Sequence, residues 1–228
     1  MTKICLISDT HTYEKKVKIP PCDILIHAGD WTYTGKFVEV IDFAKWLDEQ
    51  DATDILLVPG NHEVQFEKCW PQSKDWILDH CPRANILIDE AIQIEGINFY
   101  GSPHTPCFGF QWAYNAGRDP IEAAHNFKPF IGDIWAKVPE NTNFLITHGM
   151  PLGILDEVLD FYSGRIENVG DRELLRRIEQ LPNLKHYVGG HLHLGGGKTH
   201  ITPKVTYYNA AICDDQYRPN RKPIMIEV

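Results

Sequence analysis

The segment Gly189-Gly190-His191-Leu192-His193 sets two imidazoles one residue apart behind paired glycines, and ordinary core packing gives no reason for such a pair. In an extended backbone residues i and i+2 point to one side, so His191 and His193 would converge on a common point, as two ligands of a metal centre must. The plainer alternative is a strand whose histidines face solvent while Leu192 and Leu194 face the core. The rest of the chain decides between them by repetition. Lys3 to Ser8 is an apolar run of buried-strand type that ends in Asp9-Thr10-His11. Asp23 to Ala28 closes on Gly29-Asp30, Asp54 to Val58 on Pro59-Gly60-Asn61-His62-Glu63, and Asn143 to Thr147 on His148-Gly149. Open α/β sheets collect their ligands at the carboxyl ends of strands, and solvated turn residues would repeat this pattern only by coincidence. His27 lies inside its apolar run and reads as a hydrogen-bonded core histidine. His80, His125, His186 and His200 have no comparable position and read as surface or packing residues.

Asp9, His11, Asp30, Asn61, His148, His191 and His193 together offer seven oxygen and nitrogen donors without a thiolate. Such a set is too large for one tetrahedral zinc ion and suits two first-row divalent ions that lean octahedral. The two carboxylates, Asp9 and Asp30, cannot neutralise two divalent ions, so the centre stays cationic even with a hydroxide bound, and an anionic phosphoester is the fitting substrate. Two such ions about 3.5–4 Å apart can hold a bridging water, lower its pKa from about 15.7 toward about 7, and clamp phosphoryl oxygens for in-line attack by the bridging hydroxide. His62, next to Asn61 but not needed by the ions, is available to protonate the leaving oxygen.

The elements that must carry these residues follow from periodicity. Lys36 to Gln50, with Phe37, Val40, Ile41, Ala44 and Leu47 at helical spacing, is an amphipathic helix covering a sheet, and Asp171 to Leu181 repeats the pattern with Leu174, Leu175, Ile178 and Leu181. Residues 65–80 are helical with a break near Pro71, and 121–138 helical with a break at Pro129. Three β-type runs between Asn85 and Tyr100 suggest an antiparallel meander. Lys185 to Val188 leads into the histidine pair, and Val205 to Asn209 and Pro223 to Val228 finish the sheet. Gly101 to Trp112 is a Pro/Gly/aromatic loop that either packs on the surface or walls a cleft, with Phe108, Phe110 and Trp112 as its candidate walls.

At 228 residues, without a Pro/Gly/Ser-rich linker, the chain reads as one α/β domain over 1–228. No apolar run approaches the roughly 20 residues of a membrane span, and the N-terminus lacks a signal-peptide pattern, so a cytoplasmic protein without membrane contact is expected. Most of the six scattered cysteines, which include no C-x-x-C pair, read as buried hydrophobes in a reducing compartment. A net charge of −9 argues against stable nucleic-acid binding. The oligomeric state is left open.

The series D-x-H, G-D, G-N-H-E, H-G and G-H-x-H, running from residue 9 to 193, resembles the calcineurin-like metallophosphoesterase superfamily. The segments His27 to Thr32, Tyr100 to Pro103, His148 to Asp156 and Tyr208 to Ala210 resemble, more narrowly, the metallophosphoesterase-domain-containing brain proteins and their microbial relatives. The resemblance implies a four-layer αββα sandwich with mixed sheets and the metals at the edge where strands end. It makes Asp9, His11, Asp30 and His193 ligands of a first ion, and Asp30, Asn61, His148 and His191 ligands of a second, with Asp30 bridging. Asp30 and His62 are then the residues on which catalysis turns, and Asn61, His62, His104, Phe108 and Trp112 those expected to meet substrate. Manganese is the first expectation for the metal, with iron, zinc or nickel accepted by the same ligands. The aromatic loop departs from the narrower group, which would have Trp at His104 and Cys107, and this bears on substrate preference. A phosphodiesterase acting on a small-molecule or cyclic-nucleotide diester is the expectation. A phosphomonoesterase or phosphoprotein phosphatase, and a metal-binding scaffold without turnover, are its rivals.

Overall fold

Side-chain alternation along the first apolar runs sets the layering. The computed structural model describes residues 1–109, 111–160 and 163–228. Along β1 (Lys3–Ile7), β2 (Cys22–His27) and, after helix α1 (Phe37–Asp48), β3 (Ala52–Leu57), both faces are buried, as parallel strands covered on two sides require. Cys5, Ile7, Leu25, Ile55 and Leu57 meet Val40, Phe43, Ala44 and Leu47 of α1. Their alternates, Ile4, Leu6, Ile24, Ile26 and Leu56, face a second sheet. Helices α2 (Val64–Lys68) and α3 (Ser73–Leu78) join α1 through Phe66 and Ile77, and β4 (Ala84–Ile86) adds a parallel strand beside β3.

The chain then crosses into the second sheet with the hairpin β5 (Glu90–Ile94) and β6 (Ile97–Ser102). The expected meander is therefore corrected: its first run pairs parallel with β3, and only the other two form a hairpin, in the other sheet. The two-residue strands β7 (Thr105–Pro106) and β8 (Asn115–Ala116) frame the aromatic loop. Helices α4 (Pro120–Asn126) and α5 (Ile131–Trp135) flank the break at Pro129. After β9 (Phe144–Thr147) comes a small hairpin, β10 (Glu157–Leu159) with β11 (Ile166–Asn168), for which the sequence gives no periodic signal. Helix α6 (Arg172–Gln180) begins where the Asp171 carboxylate accepts the N–H groups of Glu173 and Leu174, at 2.8 and 3.3 Å, capping donors that have no partner inside the helix.

Strands β12 (His186–Gly189), β13 (Lys198–Ile201), β14 (Thr206–Asn209) and β15 (Ile224–Glu227) complete the sheets. The first has the order β15-β1-β2-β3-β4 and the second β13-β14-β12-β9-β6-β5. β15 returns to the first sheet, antiparallel to β1, rather than joining β14. Phe144, Ile146 and Val188 supply the inner layer of the second sheet, and Leu145 and Tyr187 its outer face against Ile134, Trp135, Leu174 and Ile178. The result is an αββα sandwich with mixed sheets. Each fully buried Ile, Leu or Phe contributes about 1.5–3 kcal/mol, so the inner layer between the sheets fixes their register before any polar contact is counted. Among the described residues no helix is long and apolar enough to cross a membrane.

Candidate metal centre

The carboxyl ends of β1, β2 and β3 in one sheet and of β9 and β12 in the other lead into Asp9, Asp30, Asn61, His148 and His191. Backbone hydrogen bonds tie these ends together within each sheet, Asp9 N–H to Gly29 O at 2.9 Å and Gly190 N–H to His148 O at 2.8 Å. Across the sheets the Asp9 carboxylate accepts the His191 N–H, at 2.9 and 3.0 Å to its two oxygens. Convergence does not arise from strand alternation, as the i, i+2 spacing suggested. Asp9, His11, Asp30 and His191 all have left-handed backbones, with φ of 53°, 43°, 55° and 65°, and His193 opens a short 3₁₀ turn. The strands end first, and tight turns then fold the side chains back over the sheet edge. Gly190 serves the same close approach: a Cβ there would collide with the Asp9 carboxylate and the Ser8 hydroxyl.

All seven expected ligands come together. Asp9, His11 and His193 form one cluster of donor atoms, Asp30, His148 and His191 a second, and His11, Asp30 and His62 a third. Asn61 joins the second through its Oδ1, 2.9 Å from His148 Nε2. Asp30 Oδ2 lies 3.2 Å from His148 Nε2 and 3.9 Å from His11 Nε2, between the clusters. Asp9, His11, Asp30 and His148 are buried.

The proton positions test whether these residues suit cations. His193 Nδ1–H donates to Asp214 O at 2.9 Å and His148 Nδ1–H to Ala28 O at 2.8 Å, the outer hydrogen bond that commonly fixes a metal-binding imidazole. Each therefore turns Nε2 inward, where the neutral ring presents a lone pair. That of His193 meets His11 Nε2 and Asp9 Oδ1, both at 3.3 Å, and that of His148 meets the Asp30 and Asn61 oxygens. At each point a carboxylate oxygen converges with nitrogen or amide-oxygen donors, and with the rings deprotonated that set is the environment a cation satisfies. The titration directions divide the rings: His11 and His191 are lowered, His148 and His193 raised. Burial lowers His11 to about 4 and His191 to about 3, keeping both neutral as ligands must be. Burial would also lower His148, but the Asp30 charge and hydrogen bond outweigh it and raise His148 to about 9, so that a proton takes the cation's place. Burial alone would raise Asp9, yet the hydrogen bond and charge of His193 hold it below the usual carboxylate range.

The centre opens into a cleft of about 470 Å³ lined by Asp30, Asn61, His62, Phe108, Trp112, Val158, Leu159, His191, His193 and Tyr217, among others. His62 Nδ1–H donates to Tyr33 O at 2.8 Å, and its backbone N–H to Asp30 Oδ1 at 2.8 Å. Its ring lies 4.6 Å from those of both His11 and Trp112. Phe108 stacks on Trp112 at 6.0 Å and sits 4.9 Å from His191, so these two aromatics wall one side. Phe110 falls outside the described residues. His104 is not among the residues lining the cleft. Its Nε2 lies 3.3 Å from the Asp89 carboxylate, which also accepts the Ser102 hydroxyl at 2.7 Å, so the structure turns His104 toward Asp89 at the end of β6. His27, fully buried, bonds Thr10 Oγ1 at 3.0 Å, and burial depresses it to about 3.

Two contributors escaped the sequence reading. Glu63, buried beneath the centre, accepts the N–H groups of Asp30, Thr32 and Gly60, at 2.9, 3.0 and 2.5 Å, and the Thr32 hydroxyl at 2.8 Å. It fastens the turn after β2 to the turn after β3, and only its place in Gly-Asn-His-Glu could have flagged it. The loop after β14 supplies Tyr217, which no spacing relates to the ligands.

Comparison with known proteins bears on the family and the fold. The calcineurin-like phosphoesterase model matches residues 2–195. Metallophosphoesterase domain-containing protein 1 of Homo sapiens is 30% identical over 246 residues, covering 100% of this chain and 71% of the relative. The fold is similar to that of a phosphopantetheinyl hydrolase from Mycobacterium tuberculosis, with a TM-score of 0.59 at 17% identity over 94% of this chain and 90% of that one. It is also similar to that of a dimetal phosphatase from Danio rerio, with a TM-score of 0.55 at 9% identity over 98% and 91%. The chain belongs to the calcineurin-like phosphoesterase family, whose chemistry is the hydrolysis of phosphoesters with divalent metal ions.

Proposed function

We propose that this chain is a phosphodiesterase acting on small-molecule or nucleotide diesters, with two divalent ions, manganese first among them, and His62 as general acid. One observation carries the reading: two clusters of donor atoms meet at Asp30, which belongs to one and lies 3.9 Å from His11 of the other, at the floor of a cleft that has aromatic walls on two sides. Phe108 and Trp112 stand over His191 and His62, while Tyr33 and Tyr217 stand on the side of His11. A diester has a substituent on each side of phosphorus, and a cleft walled twice accommodates both.

Asp9, His11, Asp30 and His193 would hold one ion, and Asp30, Asn61, His148 and His191 the other. When bound, such ions supply Lewis-acid stabilisation of the phosphoryl oxygens and an activated water. The chain's own residues do the rest. The outer hydrogen bonds of His148 and His193 fix both rings, so the donor set does not reorganise during reaction. Phe108 and Trp112 stack on one ester substituent and narrow the approach of bulk water. His62, anchored through Nδ1 to the Tyr33 carbonyl, has Nε2 free to hand a proton to the departing oxygen.

The test is elemental analysis together with the specificity constants for bis-p-nitrophenyl phosphate and p-nitrophenyl phosphate on one metal-loaded preparation. Two ions per chain and the higher kcat/KM on the diester are expected. A preference for the monoester would overturn the phosphodiesterase reading, and full activity with one ion would overturn the dinuclear one.

A further inference from the structure

The Tyr217 ring lies 4.8 Å from His11 and 5.3 Å from His193, edge to face with both. It therefore covers the two imidazoles of the first cluster and lines the same cleft as Asp30, Asn61 and His62. Packing alone does not explain it. The side chain is 38% exposed, and the rings it meets are two ligand histidines, His62 and Tyr33 rather than aliphatic core. Among the described residues no group hydrogen-bonds its hydroxyl.

The position is built. The carbonyl of Asp214 accepts both the Tyr217 N–H at 2.8 Å and the His193 Nδ1–H at 2.9 Å, so one oxygen sets the imidazole and turns the chain that carries the phenol. The Asp214 carboxylate accepts the N–H groups of Gln216 and Arg218, at 2.9 and 3.0 Å, and the Asn220 amide at 2.7 Å. That clamp holds Tyr217 in a left-handed backbone, φ 56°, which a bulky aromatic residue adopts only where its surroundings impose it and which is concentrated at functional sites.

We propose that Tyr217 is a substrate-contacting residue: its phenolic hydroxyl donates a hydrogen bond to one non-bridging oxygen of the phosphoryl group, on the His11–His193 side of the cleft. A phenol ordinarily ionises near pH 10, so it is a donor throughout the neutral range. A donor aimed at an oxygen on which charge accumulates acts on the transition state more than on the ground state. The proposal rests on the diester reading above.

The experiment uses the metal-loaded protein and Tyr217→Phe, with a nucleoside 5′-(p-nitrophenyl) phosphate diester and the two diastereomers of its phosphorothioate. On the oxygen diester Tyr217→Phe should lower kcat/KM by on the order of 10–100-fold, mostly in kcat, with metal content unchanged. Sulfur is a poor acceptor, so for the diastereomer with sulfur toward Tyr217 the wild type should lose this advantage and the two proteins should differ by less than about threefold. The other diastereomer should keep the full difference. Equal losses on all three substrates, loss of metal in the variant, or a variant within about twofold of wild type on the oxygen diester would overturn the proposal. Absence of wild-type turnover on that diester, with monoesters hydrolysed, would instead bring down the diester reading itself.

Discussion

Replacing His62 with asparagine removes the imidazole while keeping the backbone N–H that Asp30 Oδ1 accepts, so the substitution separates proton donation from support of the centre. General acid catalysis is worth about 10²–10⁴-fold where a leaving oxygen needs a proton. His62→Asn should therefore cripple hydrolysis of a ribose-linked ester while sparing p-nitrophenyl esters, whose leaving group needs none, with metal content unchanged. Parallel losses of kcat on both substrates would take His62 out of the acid role. His27 makes a different prediction, about stability. Its pKa in the folded protein is about 3, against about 6.5 in an unfolded chain. The neutral, buried form thus contributes stability that is fully present above pH 6.5 and is lost as pH falls from there toward 3. Between pH 6.5 and pH 5 the loss is about 2 kcal/mol. His27→Gln preserves a partner for Thr10 and cannot titrate, so urea unfolding over this range should show the wild type losing about 2 kcal/mol more than the variant. Equal pH slopes would mean that His27 is not held neutral.

At the level of elements, Glu63 is the tie between the turns after β2 and β3. Glu63→Gln would aim an amide N–H₂ at backbone donors that now meet carboxyl oxygens, and each buried donor left without a partner costs about 1–3 kcal/mol. The variant is expected to melt several degrees lower and to bind metal more weakly, because Asp30 N–H and Gly60 N–H both depend on it. An unchanged melting temperature with full metal content would show that the turns hold themselves. The comparison of sequence with structure divides along the same line. Strands that end on a ligand were legible because an apolar run followed by Asp, Asn or His is a local signal, and α1 and α6 because their apolar faces repeat at helical spacing. The β10–β11 hairpin was not, since Ile166, Glu167 and Asn168 are all exposed and no alternation marks them. The meander failed because three similar short runs carry no information about which sheet each joins. The residues expected as ligands do come together, but for a different reason from the one their spacing suggested. Extended spacing was assumed where left-handed turns at Asp9, His11, Asp30 and His191 do the folding. Tyr217 stayed hidden because it depends on contacts between residues far apart in the chain.

For the molecule as a whole, the two sheets meet through an apolar inner layer and through the candidate centre at one edge. The contributions there are divided: Asp9, Asp30 and Asn61 follow strands of the five-stranded sheet, and His148, His191 and His193 follow strands of the six-stranded sheet. Bound ions would therefore act as rivets through both layers, joining residues as far apart in sequence as the 182 positions between Asp9 and His191. Rivets matter most to lifetime. An interaction that forms after the rate-limiting step of folding slows escape from the native state while leaving the folding rate nearly untouched. Stripping the ions with a chelator should speed unfolding in guanidinium by at least about tenfold with little change in the refolding rate, as stopped-flow fluorescence of the tryptophans would record. Equal slowing of refolding would mean that the edge closes early, before the inner layer has formed.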